Sequence, residues 1–596
     1  MVTLGLETSP FTRRFFVALL FGLFFVKASW VDRDSPQHAK RTVSLADGGE
    51  QTLVFSDEFS VDGRSFRDGR DPRWTSIHKD DYTNFALQFY DQDLVTTTNG
   101  YLNISSVIQD ITFNINDVLN KQQTRQTKNY QSGMVQGWNK FCFTGGILEI
   151  RAKLPGKAYV GGLWPAMWLL GNLARATYVG SSNNVWPWSY NTCSAELQPQ
   201  QLISACNTVN HYNLHAKQGR GAPEIDLLEA MPGHEKLVNT PIHKPYFSTS
   251  LQVAPGSNIE DYRPTVAEVP PEGFWYDRGL EYGPNTSINI FFYGMHLSGS
   301  TKQASYLADA ISANTNLEPT HFESFHTYRL EWEPYSVAAL DSDDDGVQAR
   351  DEKSKSHGPD NPAPTASPTH KSFNQARDGG AEEVGGYIKW YLDDEFLYSI
   401  DTMTLAKTGA IIPQEPMYVI LNTALSSTWG FPSPCPENCP CDCFDCREER
   451  CQCGCPAEMC SNFPAHFLID YVRVYQRQNG DTGGKGHVVG CSPPLHPTKT
   501  YIKGNADLFM KKGDVEPLLP VQTGGAECEN AGTRSESAFR DPKGYVSFLG
   551  VCSNIFGSPV VLIKSPPRPQ SQHLWSAWHV CEEKVCMRRG YHRSRL

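Results

Sequence analysis

Residues 224–229 read Glu-Ile-Asp-Leu-Leu-Glu, three carboxylates and three apolar residues in a run with strand character. In an extended strand successive side chains point to opposite faces, so Glu224 and Asp226 share one face. Glu229 is one residue out of that period. A single bulge between Leu227 and Leu228 returns it to the acidic face and keeps both leucines packed. Like charges crowded on one sheet face raise each other's pKa, which is costly unless the acids do chemistry. The alternative is a surface strand with scattered acids, which the flanking apolar residues and Pro223 fit less well. Two carboxyls about 5 Å apart are the apparatus of retaining glycoside cleavage, one as nucleophile and one as acid/base.

The rest of the chain reads as short strands. Between Gly146 and Leu154 the alternation is regular, with Leu148, Ile150, Ala152 and Leu154 inward and Glu149, Arg151 and Lys153 outward. Tyr387–Leu392 and Glu395–Tyr398 flank Asp393-Asp394, a hairpin signal. Met417–Leu421 and Phe467–Tyr475 are further strands, and long helical periodicity is scarce. Short strands punctuated by Gly and Pro predict an all-β sandwich. Two insertions interrupt it: an acidic, then Pro/Ser/Thr-rich stretch at 339–383, predicted to be disordered, and a Cys-rich loop at 435–460. Residues 29–50 read as a flexible lead, 51–505 as the sandwich domain, and 506–596 as a poorly defined segment ending in a basic tail.

Arg13 and Arg14 precede an apolar run from Phe15 to Val26, which predicts a signal peptide over 1–28, or alternatively an uncleaved signal anchor. Cysteines number 17, nine of them between Cys435 and Cys460. Zinc sites favour pairs two residues apart with His partners, so a disulfide-stapled loop is the expected reading. That pattern suits the secretory pathway, and there Asn103 and Asn285 head glycosylation triplets. With 53 basic against 65 acidic residues, nucleic acid is excluded as the main partner.

Two further patterns invite a functional reading. His326, Tyr328, Leu330 and Trp332 share a face by parity, so His326 and Trp332 could line a groove, with a buried core strand as the alternative. Asp341, Asp343, Asp345 and Glu352 fit the spacing of a calcium loop, but Gln348 stands at its apolar position and no helix follows, so a solvated acidic linker fits better.

Longer motifs occur in order: Leu53-Val54-Phe55-Ser56-Asp57-Glu58-Phe59, Gly162-Leu163-Trp164-Pro165-Ala166-Met167-Trp168-Leu169-Leu170-Gly171, Asn172–Tyr178, Trp186-Pro187-Trp188-Ser189-Tyr190, Gly219-Arg220-Gly221-Ala222-Pro223 before the acids, and Tyr293-Gly294-Met295-His296. Together they resemble the Kre6/Skn1 β-glucan synthesis-associated proteins within the glycoside hydrolase family 16 superfamily, over roughly residues 50 to 505. The resemblance implies a jelly-roll (concanavalin A-like) sandwich of two antiparallel sheets with a glucan cleft on the concave face. It implies Glu224 as nucleophile, Asp226 as the assisting acid and Glu229 as the general acid/base. Trp164 and Trp168 lie in the family's tryptophan motif and would stack on sugar rings, though a core role fits Trp168 as well. Asn422 and Trp429 resemble the polar and aromatic cleft residues. No cofactor is required, and calcium is compatible with the fold.

The implied activity is a retaining β-glucan-active glycosidase or transglycosylase, acting in β-1,6-glucan biosynthesis and cell wall organisation. Its partner would be a β-glucan polysaccharide or oligosaccharide. Two alternatives share the same residues: a non-catalytic glucan-binding protein, and an assembly factor for a glucan synthase. The expected location is the secretory pathway and then the cell surface, wall or exterior, or the ER/Golgi membrane if the N-terminal segment stays as an anchor.

Overall fold

The computed structural model describes residues 30–117, 122–209, 212–234, 243–257, 263–297, 305–335, 386–427, 429–430, 444–448, 459–477 and 486–510, together with the backbone of four short strands between 539 and 563. Residues 1–28, the insertion at 339–383 with Asp341, Asp343, Asp345 and Glu352, and most of the Cys-rich loop lie outside the described residues. Among the described residues no helix is long and apolar enough to cross a membrane.

The principal strands are β1 (Glu50–Asp57), β2 (Tyr101–Asp117), β3 (Gln122–Ser132), β4 (Gly146–Lys153), β5 (Trp164–Gly171), β6 (Glu224–Met231), β7 (Tyr246–Val253), β8 (Tyr306–Asn316), β9 (His326–Glu333), β10 (Tyr387–Leu392), β11 (Glu395–Asp401), β12 (Met417–Ala424) and β13 (Ala465–Gln476). They form two sheets. One runs β11-β10-β9-β4-β13-β2-β3 and the other β8-β7-β6-β5-β12, each extended by shorter strands. The pairs between these named strands are antiparallel. The chain is thus the expected jelly-roll sandwich. Consecutive strands change sheets at several points, but β5, β6, β7 and β8 stay side by side in one sheet. So β6 lies between its chain neighbours β5 and β7, while β5 takes β12, from far along the chain, on its other edge.

Alternation explains each layer. In β4, Leu148, Ile150 and Ala152 are fully buried while Glu149, Arg151 and Lys153 reach the outer face. At the β10–β11 turn Asp393 and Asp394 both have positive φ (48° and 67°). A two-residue hairpin needs that conformation at both positions, and Asp tolerates it better than most residues. Between the sheets Phe247 meets Tyr328 edge-on, 5.8 Å between centroids, and Trp390, fully buried, donates to the Asp226 carbonyl at 2.9 Å. That bond ties the acidic strand to the opposite sheet from beneath.

Residues 30–50 correct the expectation of a flexible lead. Trp30 is buried against Phe141, and Arg41–Val43 pairs with β1. Ser44 Oγ donates to Glu331 Oε2 at 2.6 Å, and the Leu45 amide donates to Glu331 Oε1 at 2.7 Å. Glu331 is also bridged to Arg329 at 2.7 Å. The segment covers a charged outer sheet face, so polar side chains and amides make the contact, and no apolar period announces it. The domain also continues past 505. Phe509 is buried under Trp138, and its carbonyl accepts from Arg175 Nη1.

Three disulfides join the described residues: Cys142–Cys491, Cys193–Cys206 and Cys446–Cys460. The last places a staple in the Cys-rich loop, as its spacing predicts.

Candidate active site

The acidic strand carries the bulge its sequence demands. Against β5, Asp226 stands opposite Trp168 and Leu228 opposite Met167, with Leu227 left over. Against β7, Asp226 faces Ser250 and Glu229 faces Ser248. Leu227 and Leu228 are both buried in the core. Glu224, Asp226 and Glu229 therefore emerge on one face, the one turned away from the opposite sheet.

Each acid has its own partner. Trp186 Nε1 donates to Glu224 Oε2 at 2.9 Å, and Trp164 Nε1 donates to Glu229 Oε1 at 3.1 Å. Ser250 Oγ donates to Asp226 Oδ2, and Gln252 Nε2 donates to Ser250 Oγ at 3.3 Å. An indole N–H can only donate, so it favours the ionised carboxylate of its glutamate. Burial acts the other way and dominates. Glu224 is held well above the usual carboxylate range by burial first, then by the charges of Asp226 and Glu229. Glu229 is held well above it by burial and then by Asp226. Asp226 is pushed up to about 6 by burial, with its bonds to Ser250 and Gln252 opposing. Such a set retains a proton near neutral pH, as a group that must both donate and accept one requires.

Aromatic and amide side chains frame the acids. Trp168 Nε1 donates to Asn422 Oδ1 at 2.8 Å, and Asn422 Nδ2 donates to Tyr90 OH at 3.2 Å. Trp429 leans against Trp164 with ring centroids 5.3 Å apart. Trp164, Trp168 and Asn422 thus stand on the same sheet as Glu224, Asp226 and Glu229, and Trp429 joins them from the segment after β12 by packing on Trp164.

His326 and Trp332 do not join them. Trp332 is 1% exposed, packs edge-on against Phe143 and donates to the Pro413 carbonyl. The parity was right, since Tyr328, Leu330 and Trp332 do share a face, but that face is the interior between the sheets. His326 begins the same strand where it runs past the core, and its ring meets Asp393. Asn285 is exposed in a turn. Asn103 sits within β2, its side-chain oxygen beside His466 Nδ1 and Ser105 Oγ.

Sequence reasoning missed three partners. Ser250 and Gln252 alternate along Ser248-Thr249-Ser250-Leu251-Gln252, a polar face legible in principle. Trp186 comes from the connection between β5 and β6, and no local period marks it.

The model of the beta-glucan synthesis-associated protein SKN1/KRE6/Sbg1 family matches residues 18–339. The chain belongs to this family. It is 30% identical over 505 residues to beta-glucan synthesis-associated protein KRE6 of Saccharomyces cerevisiae, covering 81% of this chain and 54% of the relative. To SKN1 of the same yeast it is 30% identical, covering 81% and 50%, and to KRE6 of Candida albicans 29%, covering 81% and 53%. The chain spans about half the length of these family members. Among solved structures it resembles an endo-1,3-beta-glucanase (laminarinase) catalytic domain from Thermotoga petrophila, 18% identical, TM-score 0.34, covering 72% of this chain and 99% of that one. It also resembles an endo-beta-1,3-glucanase from Pyrococcus furiosus, 18% identical, TM-score 0.35, covering 74% and 99%.

Proposed function

We propose that this chain is a retaining β-glucan-active glycosidase or transglycosylase serving β-1,6-glucan assembly and cell wall organisation. The observation that carries the proposal is the bulged strand β6, which sets Glu224, Asp226 and Glu229 on one face, each hydrogen-bonded. Membership of a family named for β-glucan synthesis supplies the substrate class.

Glu224 attacks the anomeric carbon. The glycosidic C–O bond breaks as Glu229 gives its proton to the departing oxygen, leaving a covalent glucosyl ester on Glu224. Glu229, now ionised, takes the proton of an incoming hydroxyl, whose oxygen displaces Glu224 from the anomeric carbon. Water as acceptor gives hydrolysis, and a sugar hydroxyl gives transfer. Asp226 lies between the glutamates in the strand and favours a protonated Glu229 before attack. Trp164, Trp168 and Trp429 offer ring faces to sugar, and Asn422 holds Trp168 in place. The disulfides support an oxidising, secretory setting.

The test incubates the purified full chain with laminarin- and pustulan-type oligosaccharides and follows products by mass. Longer products mean transfer and shorter ones cleavage. Glu224→Gln and Glu229→Gln are each expected to lower turnover by at least about a thousandfold while the fold persists. Glucan binding without turnover in wild type and variants alike would make the chain a glucan-binding protein. Full rescue of wall glucan by the doubly amidated variant would make it an assembly factor.

A further inference from the structure

On the sheet opposite the acids, His321, His326 and Asp393 converge from three places in the chain. One ligand atom from each lies within 4.8 Å of the others. His321 belongs to the short turn Pro319–Phe322, His326 opens β9, and Asp393 is in the β10–β11 turn. The imidazoles stack, centroids 3.8 Å apart and planes 21° apart.

The hydrogen bonds define which atoms are free. His321 Nδ1 lies 2.9 Å from the Glu318 carbonyl. A carbonyl only accepts, so Nδ1 carries the proton and Nε2 keeps its lone pair. The His321 residue is 7% exposed, and among the described residues its Nε2 has no partner. A buried ring nitrogen left unpaired is costly, and its surroundings give a reason to keep it. His326 Nδ1 lies 2.7 Å from Asp393 Oδ2, and the other carboxylate oxygen accepts from the Thr327 amide at 2.8 Å. Asp393 is thus held with one oxygen aimed at the imidazole.

We propose that His321, His326 and Asp393 bind a divalent transition metal of the zinc class, through His321 Nε2, His326 Nδ1 and Asp393 Oδ2. Two imidazoles and one carboxylate are a zinc donor set, and a hard calcium ion would not choose it. The metal takes the place of the proton between His326 and Asp393. That proton moves to His326 Nε2, where Ser324 Oγ, 3.3 Å away, accepts it. The 2.7 Å nitrogen–oxygen gap must widen to the roughly 3.4 Å edge of a tetrahedral zinc site. The partly exposed His326 ring must also rotate out of its stack on His321, because each lone pair lies in its own ring plane and both have to meet at the ion. The half-exposed Asp393 leaves the fourth position to water. The bound ion would tie the β10–β11 turn to the start of β9. This inference does not depend on the glucan reading.

Zinc is titrated into the chelator-stripped full chain by calorimetry, and cobalt is added as a spectroscopic stand-in. The expected result is one site with nitrogen and oxygen ligation. Its affinity should fall at least about tenfold in His326→Gln and in Asp393→Asn. Both residues reach the surface, so these variants fold even if His321→Gln does not. Calcium should not compete. Unchanged zinc affinity in both variants, or only the thiolate charge-transfer bands that the Cys-rich loop would give, overturns the assignment, as does no binding at all.

Discussion

Trp186 donates its indole proton to Glu224 Oε2 at 2.9 Å, across a sequence separation of 38 residues. The bond favours the ionised nucleophile against burial, which favours the protonated form. Removing the donor in Trp186→Phe therefore raises the Glu224 pKa further. The acid limb of the pH–rate profile is expected to move up by about one unit, from the loss of roughly 1.5 kcal/mol of charged hydrogen bond. Turnover should fall by up to about tenfold on the acid limb and little on the plateau above it. An unmoved acid limb would refute this role for Trp186.

Asp226 links the site to stability. Its pKa in the folded chain is raised to about 6 from an ordinary value near 3.8. The folded state therefore binds the proton more tightly than the unfolded one. The associated stability is full below about pH 4 and is lost as pH rises through about 6. Asp226→Asn stays neutral throughout. Urea unfolding should find wild type and variant close at pH 4, with the variant gaining by about 1–3 kcal/mol at pH 7.5. A constant difference across that range would contradict it.

Trp332 and Trp168 separate core from cleft. Trp332→Ala opens a cavity between the sheets and is expected to cost about 3–5 kcal/mol without changing the apparent affinity of the remaining folded protein for glucan. Trp168 is half-buried on the acidic face. Trp168→Ala should cost less in thermal melts and weaken oligosaccharide binding, measured by intrinsic fluorescence of the other tryptophans.

Cys142 and Cys491 are both buried and joined across a sequence separation of 349 residues. Closing so long a loop restricts the unfolded chain strongly. The paired change Cys142→Ala and Cys491→Ala is expected to lower stability by about 2–5 kcal/mol. Guanidinium unfolding of the oxidised protein checks it, and an unchanged midpoint would show that the link contributes nothing.

How legible the site was varied with the range of the contact. The Leu227–Leu228 bulge could be read from one hexapeptide, because a two-residue period with one slip leaves a single way to pack both leucines. The shared face of Tyr328, Leu330 and Trp332 was equally legible. Which side that face takes was not, because parity is blind to what lies across the sheet. Trp186 and Tyr90 reach the acids and Asn422 from other parts of the chain, where nothing local marks them. Residues 30–50 carry no local signal for a related reason: they pair with charges on the outer sheet face, and such contacts have no apolar period.

The sequence by itself determined the β class, the bulge and the alignment of three carboxylates, since alternation is a property of the local backbone. Only the tertiary structure decided which indole serves which glutamate, that Trp332 lies in the core and that His326 stands beside His321 and Asp393. Those outcomes depend on which strands become neighbours, and that is set by burying apolar faces against segments hundreds of residues apart.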